Sequence, residues 1–361
     1  MRFAAQLSVL TAAFFLEIHG ASAAEDWNAI VAAAEREGSV NVHGGPGSAQ
    51  AQALTSFKSA YPKIEVKFLG AAGRDSIPVI MRERAAGVYQ WDVYVGGTPS
   101  TLQTLKPAGA FAPLRPAIDW PEITADNLWF GGFDGGWMDN EKSTTFGFAL
   151  TMNPVVAVNW EFVSPDELKT FADILNPRFA DKIVFDDPRR PGQGQVNAQA
   201  ILVNFGSDYL RDLFSKQKIV YSGNARQAAE WLVRGRYPIS IAPASDQILP
   251  FRQQGLGQKI AVFNGDMKTA IAGPGFGTVS LMSNAPHPNA ARVYLRWLLS
   301  SAGQAAWSEN TKSNSRRLDV PKPQPDLYPS SGQTYVDPQS EKQIPAQIQA
   351  EALAKEFIKA P

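Results

Sequence analysis

Short strand-like stretches alternate with helix-like stretches through the first hundred residues, and this alternation restricts the fold more than any other feature. Val40 and Val42 mark a first strand, Ile64, Val66 and Phe68 a second, and Asp92 to Val95 a third. A helix from Asp26 to Glu37, stopped by Gly38, precedes them. Leu54, Phe57 and Tyr61 then predict a helix ended before Pro62, and another runs from about Ser76 to Ala86 and stops at Gly87. Strands and helices in this order imply a doubly wound parallel sheet. After Asn153-Pro154 the alternation returns. Ile183 to Phe185, Ile219 to Tyr221 and Pro238 to Ala242 read as strands, and Gln195 to Phe205 and the stretches after Ser222 and Ser245 as helices. The expected fold class is therefore α/β: two doubly wound α/β lobes.

In such sheets the loops after the strands lie on one edge, where helix N-termini direct unpaired N–H groups and the positive end of the helix dipole at a common crevice. That edge suits an anion. The candidate ligand-binding residues follow from it. In the first lobe they are Gly45 and Ser48 after the first strand, Arg74 after the second, and Gly97, Thr98 and Ser100 after the third, with Thr98 the expected N-cap and Pro99 the first helical residue. In the second lobe they are Arg189, Arg190 and Gln193 in the polar loop Asp186 to Gly194, Ser222 as a cap, and Ser245 and Asp246, one of which is expected to cap the next helix. Thr151 ends the stretch Thr144 to Thr151, which reads as the second strand of a hairpin turned at Asp139-Asn140-Glu141-Lys142. Glycine lets a ligand approach the backbone, hydroxyls add adjustable donors, and paired arginines can clamp a carboxylate or phosphate. Gly and Ser are also the ordinary content of such loops, and solvated arginines are commoner than clamps. The functional reading rests on several such loops sharing an edge.

The remaining segments bound the architecture. Met1-Arg2, the mostly apolar run from Phe3 to Leu16 and the small residues Ala21-Ser22-Ala23 read as a cleavable export signal over residues 1–23. No Cys is present to carry a lipid, and no later run approaches about 18 apolar residues. Residues 116–274 are assigned to the second lobe, and 24–115 with 275–318 to the first. The stretch Asp119 to Asn140 is rich in aromatics, among them Trp129 and Trp137, which fit packing under a hairpin better than ligand stacking. Ala270 to Met282 reads as an extended crossing between lobes, Pro288 onward as a helix, and 319–361 as a Pro-rich tether with a final helix.

Composition removes several classes of function. Lys plus Arg and Asp plus Glu are both 34, so no basic face for nucleic acid is indicated. Without Cys, thiol chemistry is out of reach. Once the signal is removed only His43 and His287 remain, so an exported hydrolase would have to be built on one of these two. No catalytic residue, metal ligand or cofactor is assigned.

Four segments, in order, carry a resemblance to a known family: Ala34-Glu35-Arg36-Glu37-Gly38, Phe57 to Pro62, Glu83-Arg84-Ala85-Ala86-Gly87 before Trp91-Asp92-Val93, and Pro286 to Gln304. With them the chain resembles the periplasmic solute-binding proteins of ABC importers, in the branch containing ferric-ion-binding proteins. The resemblance implies a type II periplasmic binding protein fold, with lobes joined by a crossing-strand hinge that closes on a small-molecule ligand. It also implies a monomeric periplasmic receptor that hands its ligand to the transmembrane subunits of an ABC permease. Where that branch holds iron with adjacent tyrosines, this chain has Ala244 and Ser245, and the matching first-lobe positions fall near Pro46 and Gly97. A small organic anion, phosphorylated or carboxylated, is therefore the expected ligand. Iron or an iron chelate is the alternative, needing Tyr89, Tyr94, Tyr221 or Tyr237 as substitutes.

Overall fold

The computed structural model describes residues 27–98, 101–190, 192–330 and 335–359, with the side chain of Arg74 outside that set. The export signal, Pro99 and Ser100 lie outside the described residues. In chain order the strands are β1 (Ser39–Gly44), β2 (Glu65–Gly70), β3 (Val93–Gly96), β4 (Thr145–Gly147), β5 (Thr151–Met152), β6 (Val156–Asn159) and β7 (Ile183–Asp186). They continue with β8 (Ile219–Ser222), β9 (Ile239–Ile241), β10 (Ile260–Phe263), β11 (Ala270–Gly273), β12 (Thr278–Leu281) and β13 (Tyr335–Val336). The longer helices are α1 (Trp27–Glu37), α2 (Ser48–Thr55), α3 (Gly73–Ala85), α4 (Gln193–Lys216) and α5 (Ala225–Val233). After them come α6 (Ser245–Gln253), α7 (Pro288–Leu299), α8 (Ser301–Thr311) and α9 (Ile344–Phe357).

Two five-stranded sheets form the lobes. The first has the order β2-β1-β3-β12-β4, with β1, β2 and β3 parallel and β12 antiparallel to both β3 and β4. The second has the order β10-β6-β9-β7-β8, with β9, β7 and β8 parallel. A third, small sheet, β13-β11-β5, carries the two crossing strands β5 and β11 side by side and antiparallel, with the late strand β13 beside them. The expected two-lobed α/β architecture is present.

Burial explains why the alternating segments fold this way. Val40, Val42, Val93 and Val95 are fully buried between helical layers, as expected for strands covered on both faces. Amphipathic α7 buries Tyr294, Trp297, Leu298 and Leu299, and Phe57 packs against Tyr294 and Trp297 with ring centroids 5.1 and 5.4 Å away. Each such side chain contributes roughly 2 kcal/mol by leaving water.

Two boundaries differ from the sequence reading. The second lobe does not begin at 116, because β4 pairs with β12 and Trp129, Phe133, Trp137, Phe146 and Phe148 all belong to the first core. Phe146 draws them there, stacking on Phe133 at 4.8 Å and meeting Trp129 edge-on at 5.1 Å. The helix expected over Gln195 to Phe205 extends over Gln193–Lys216, broken at Gly206, whose φ of 83° only glycine adopts readily.

Candidate functional site

Register places the loops. In the first sheet Gly44 lies beside Gly70, and Thr278 pairs with both Gly96 and Gly147. The loops carrying Gly45, Ser48, Arg74, Gly97 and Thr98 therefore share one edge, and β4 leaves the lobe from that same edge toward the hinge. In the second sheet Asp186 lies beside Ser222, and Phe185 beside Ile241. The loops carrying Arg189, Arg190, Gln193, Ser222, Ser245 and Asp246 share an edge too. Val156, where the chain enters this lobe, pairs with Ile241 and Phe263, so both crossings reach the second lobe at its loop edge. Two strands thus join rim to rim. Thr151, paired with Gly273, sits on the crossing itself.

The second rim holds the charge. Arg189 is engaged: its Nε and Nη2 donate to Asp187 at 2.9 and 2.7 Å, its backbone N donates to the same carboxylate at 3.0 Å, and its guanidinium lies 5.8 Å from the centre of the Tyr221 ring. The Arg189 guanidinium in turn holds the Asp187 carboxyl below its ordinary range against the opposing effect of burial. Arg190 is exposed and makes no hydrogen bond or ion pair among the described residues through its side chain. Its guanidinium lies over Gly223, where a Cβ would meet Nη2 at 1.7 Å. The start of α4 is partly occupied, because Gly194 N donates to Asp186 Oδ2 at 2.8 Å. Burial raises the Asp186 carboxyl above its usual range. Gln193 is exposed and accepts a hydrogen bond from Asn153 Nδ2 at 3.2 Å, linking α4 to the crossing.

Several expected caps are different residues. Asn224, not Ser222, caps α5, accepting from Gln227 N at 3.0 Å, while buried Ser222 exchanges hydrogen bonds with the Asn224 backbone. Ala244 occupies the N-cap of α6 with no side-chain bond, leaving Ser245 exposed as its first residue. Asp246, also exposed, accepts from Gln247. Thr98 is fully buried and its hydroxyl donates to the Gln339 carbonyl at 2.5 Å. In the first rim, Gly45 is pressed by the Gln50 side chain, whereas Ser48 is exposed at the start of uncapped α2. Arg74 belongs to the first turn of α3 by its backbone, its side chain lying outside the described set.

The structure also adds residues to the rims. Gln339 reaches the first rim from the far end of the chain, accepting from Gly275 N at 2.8 Å and donating to Gly275 O at 3.3 Å. Ala242, at the end of β9, has a φ of 59°, a strained conformation for a residue with a Cβ. No local sequence signal marks either one. A cavity of 530 Å³ lies against the crossing at Leu150 and Ala272, and none of the candidate residues lines it.

The paired crossing strands thus connect the loop edge of one lobe to that of the other. The model of the bacterial extracellular solute-binding proteins matches residues 28–310. The chain belongs to that family. As such it binds a solute and is not an enzyme. Comparison with curated protein sequences finds no significant match. Among solved structures, the Trichodesmium protein IdiA (FutA) in complex with iron and citrate superposes with a TM-score of 0.67 at 18% identity, covering 89% of this chain and 99% of that one. The apo ferric ion-binding protein A of Pasteurella haemolytica gives 0.66 at 13% identity, covering 89% and 98%. AfuA of Actinobacillus pleuropneumoniae, with fructose-6-phosphate bound, gives 0.60 at 17%, covering 88% and 97%. These likenesses establish the type II binding-protein fold.

The residues present do not suit direct chelation of ferric iron, which calls for deprotonated oxygen donors. The four tyrosines weighed for that role lie on separate elements. Burial pushes the Tyr94 and Tyr221 hydroxyls up, away from tyrosinate. Tyr237 packs edge-on against Trp231, and Tyr89 stands at the surface under Arg84. Among the described residues no three His, Asp or Glu side chains converge.

Proposed function

We propose that this solute-binding protein is the periplasmic receptor of an ABC importer, exported by removal of residues 1–23, and that its interlobe gap takes a small organic anion. One observation carries the reading: Arg190 offers an unpaired, exposed guanidinium on the second rim, beside Gly223. Its neighbour Arg189 is neutralised by Asp187, so a single arginine, not a clamp of two, is the anchor. On the first rim, Gly45, Gly97 and the uncapped start of α2 at Ser48 supply backbone N–H donors and the positive end of a helix dipole. A carboxylate or phosphate bound to Arg190 and reaching the first rim favours the closed hinge, because only that state offers both sets of contacts. The bound citrate and fructose-6-phosphate of the two structural relatives belong to the same chemical class.

Thermal-shift screening of the mature protein tests this, with citrate, ferric citrate, fructose-6-phosphate, a neutral hexose and a polyamine as probes. Stabilisation by at least one anion, abolished in Arg190→Gln, is expected. Stabilisation by the hexose or the polyamine, with none by the anions, overturns the anion reading. Binding of ferric citrate without a tyrosinate-to-iron absorption band separates a carrier of the chelate from a direct iron binder.

A further inference from the structure

We propose a second small-molecule site, at the hinge, that takes a monocarboxylate with an apolar or aromatic body. The 530 Å³ cavity beside Leu150 and Ala272 is walled by Phe130, Trp137, Met138 and Tyr335, and its charged lining is unevenly paired. Two of its carboxylates are already engaged: Asp134 with Arg115 and Lys142, and Asp139 with the backbone N–H groups of Ser143, Thr144 and Thr145. Arg316 is 8% exposed, and its Nε donates to the Phe130 carbonyl at 3.0 Å. No carboxylate lies within ion-pair distance of it among the described residues. Lys342 also lines the cavity without an ion pair among them.

The remaining carboxylate, Asp337, accepts from Gln339 N at 2.9 Å and stands beyond 4 Å from Arg316. The lining balances as a whole, Lys142, Arg316 and Lys342 against Asp134, Asp139 and Asp337, but Arg316 and Lys342 have no carboxylate within ion-pair distance among the described residues, and Asp337 acts on both only through space. A guanidinium buried this far is unfavourable without a counter-charge. A carboxylate entering the cavity supplies it through paired N–H···O bonds, while the aromatic wall accepts the rest of the molecule. Trp137 and Phe130 belong to the first lobe, and Leu150 and Ala272 to the hinge, so an occupant touches the parts that move when the lobes close.

The test is calorimetric titration of the mature protein with benzoate, phenylacetate and hexanoate, done on wild type and on four variants. At least one probe is expected to bind at millimolar concentration with unit stoichiometry. Lys342→Gln and Arg316→Gln should each weaken it about tenfold, and Ala272→Leu, which fills the cavity and leaves every charge in place, should abolish it. Arg190→Gln should leave it unchanged. Lys342 is exposed, so its variant remains informative if Arg316→Gln fails to fold. The proposal is overturned if none of the three probes binds, if Lys342→Gln and Ala272→Leu bind like wild type, or if Arg190→Gln alone removes binding.

Discussion

Arg190 lies over the bare face of Gly223 so closely that a methyl group there would stand 1.7 Å from Nη2. The backbone of Gly223 is not in the left-handed region, so alanine is tolerated conformationally, and the atom it displaces is the tip of an exposed, flexible side chain. Gly223→Ala should therefore change stability by no more than about 0.5 kcal/mol. It should weaken binding of the stabilising anion about tenfold, since a charge-assisted contact is moved. Titration calorimetry beside chemical denaturation checks both halves. Unchanged affinity would remove Arg190 from the site.

Arg189 is predicted to behave in the opposite way. Its bidentate pairing with Asp187 and its place against Tyr221 hold the loop that carries Arg190. The pair is only partly exposed, so Arg189→Gln should cost about 1 kcal/mol. The ligand then meets a looser loop, not a missing anchor: affinity should fall less in Arg189→Gln than in Arg190→Gln. Equal losses of affinity with unchanged stability would show that Arg189 touches the ligand.

How much of this was legible in the sequence depends on the distance over which the cause acts. Strand-helix alternation is local, so the elements from Val40 to Val95 and from Ile183 to Ile241 stood out. The rims followed, because parallel sheets align their loops. The placement of 116–148 did not, since an aromatic hairpin has no alternation to assign it a lobe and only packing on Phe146 decides. Arg189 and Arg190 were indistinguishable as a pair of letters. What separates them is Asp187, two residues before one and three before the other, where only the first closes a bidentate bond. Thr98 read as a cap from its neighbours, but its partner Gln339 comes from the far end of the chain.

His43 gives a pH prediction. Its ring is fully buried, stacked on Tyr94 at 4.7 Å, with both nitrogens unpartnered, and burial lowers its pKa from 6.5 to about 4. The unfolded chain takes up a proton below pH 6.5 while the folded one does so only near pH 4. Stability from this group is therefore lost as pH falls through that window, by roughly 2–3 kcal/mol at pH 4.5. Asp337 acts the other way, since burial raises its carboxyl to about 6 and the folded chain is the first to bind that proton. The two mask each other in the native protein. His43→Phe, which keeps the stack, should gain stability relative to wild type on going from pH 7 to pH 4.5, and Asp337→Asn should lose it. Parallel denaturation curves at the two pH values for wild type and both variants would refute the assignment.

Ser39, His287 and Asp92 form a chain that looks like hydrolytic machinery: His287 Nε2 stands 3.2 Å from Ser39 Oγ, and its Nδ1 stands 2.8 Å from Asp92 Oδ2. Its position argues for a structural role. Ser39 begins β1, at the end of the sheet away from Gly44 and the rim, and is 6% exposed. Asp92 is fully buried and also accepts from the backbone N–H groups of Asn41 and His287, both at 2.7 Å, so one carboxylate joins β1 to the start of α7. Burial raises its pKa, and these bonds oppose the rise. Asp92→Asn keeps the shape but replaces one acceptor oxygen with a donor facing those donors, and should cost about 2–3 kcal/mol. Ser39→Ala removes only the last link, and should cost about 1 kcal/mol or less. Denaturation midpoints measure both, and a nitrophenyl ester assay run alongside should show no turnover in the wild-type protein. If Ser39→Ala removed an esterase activity present in wild type, the chain would be catalytic and the structural account would fall.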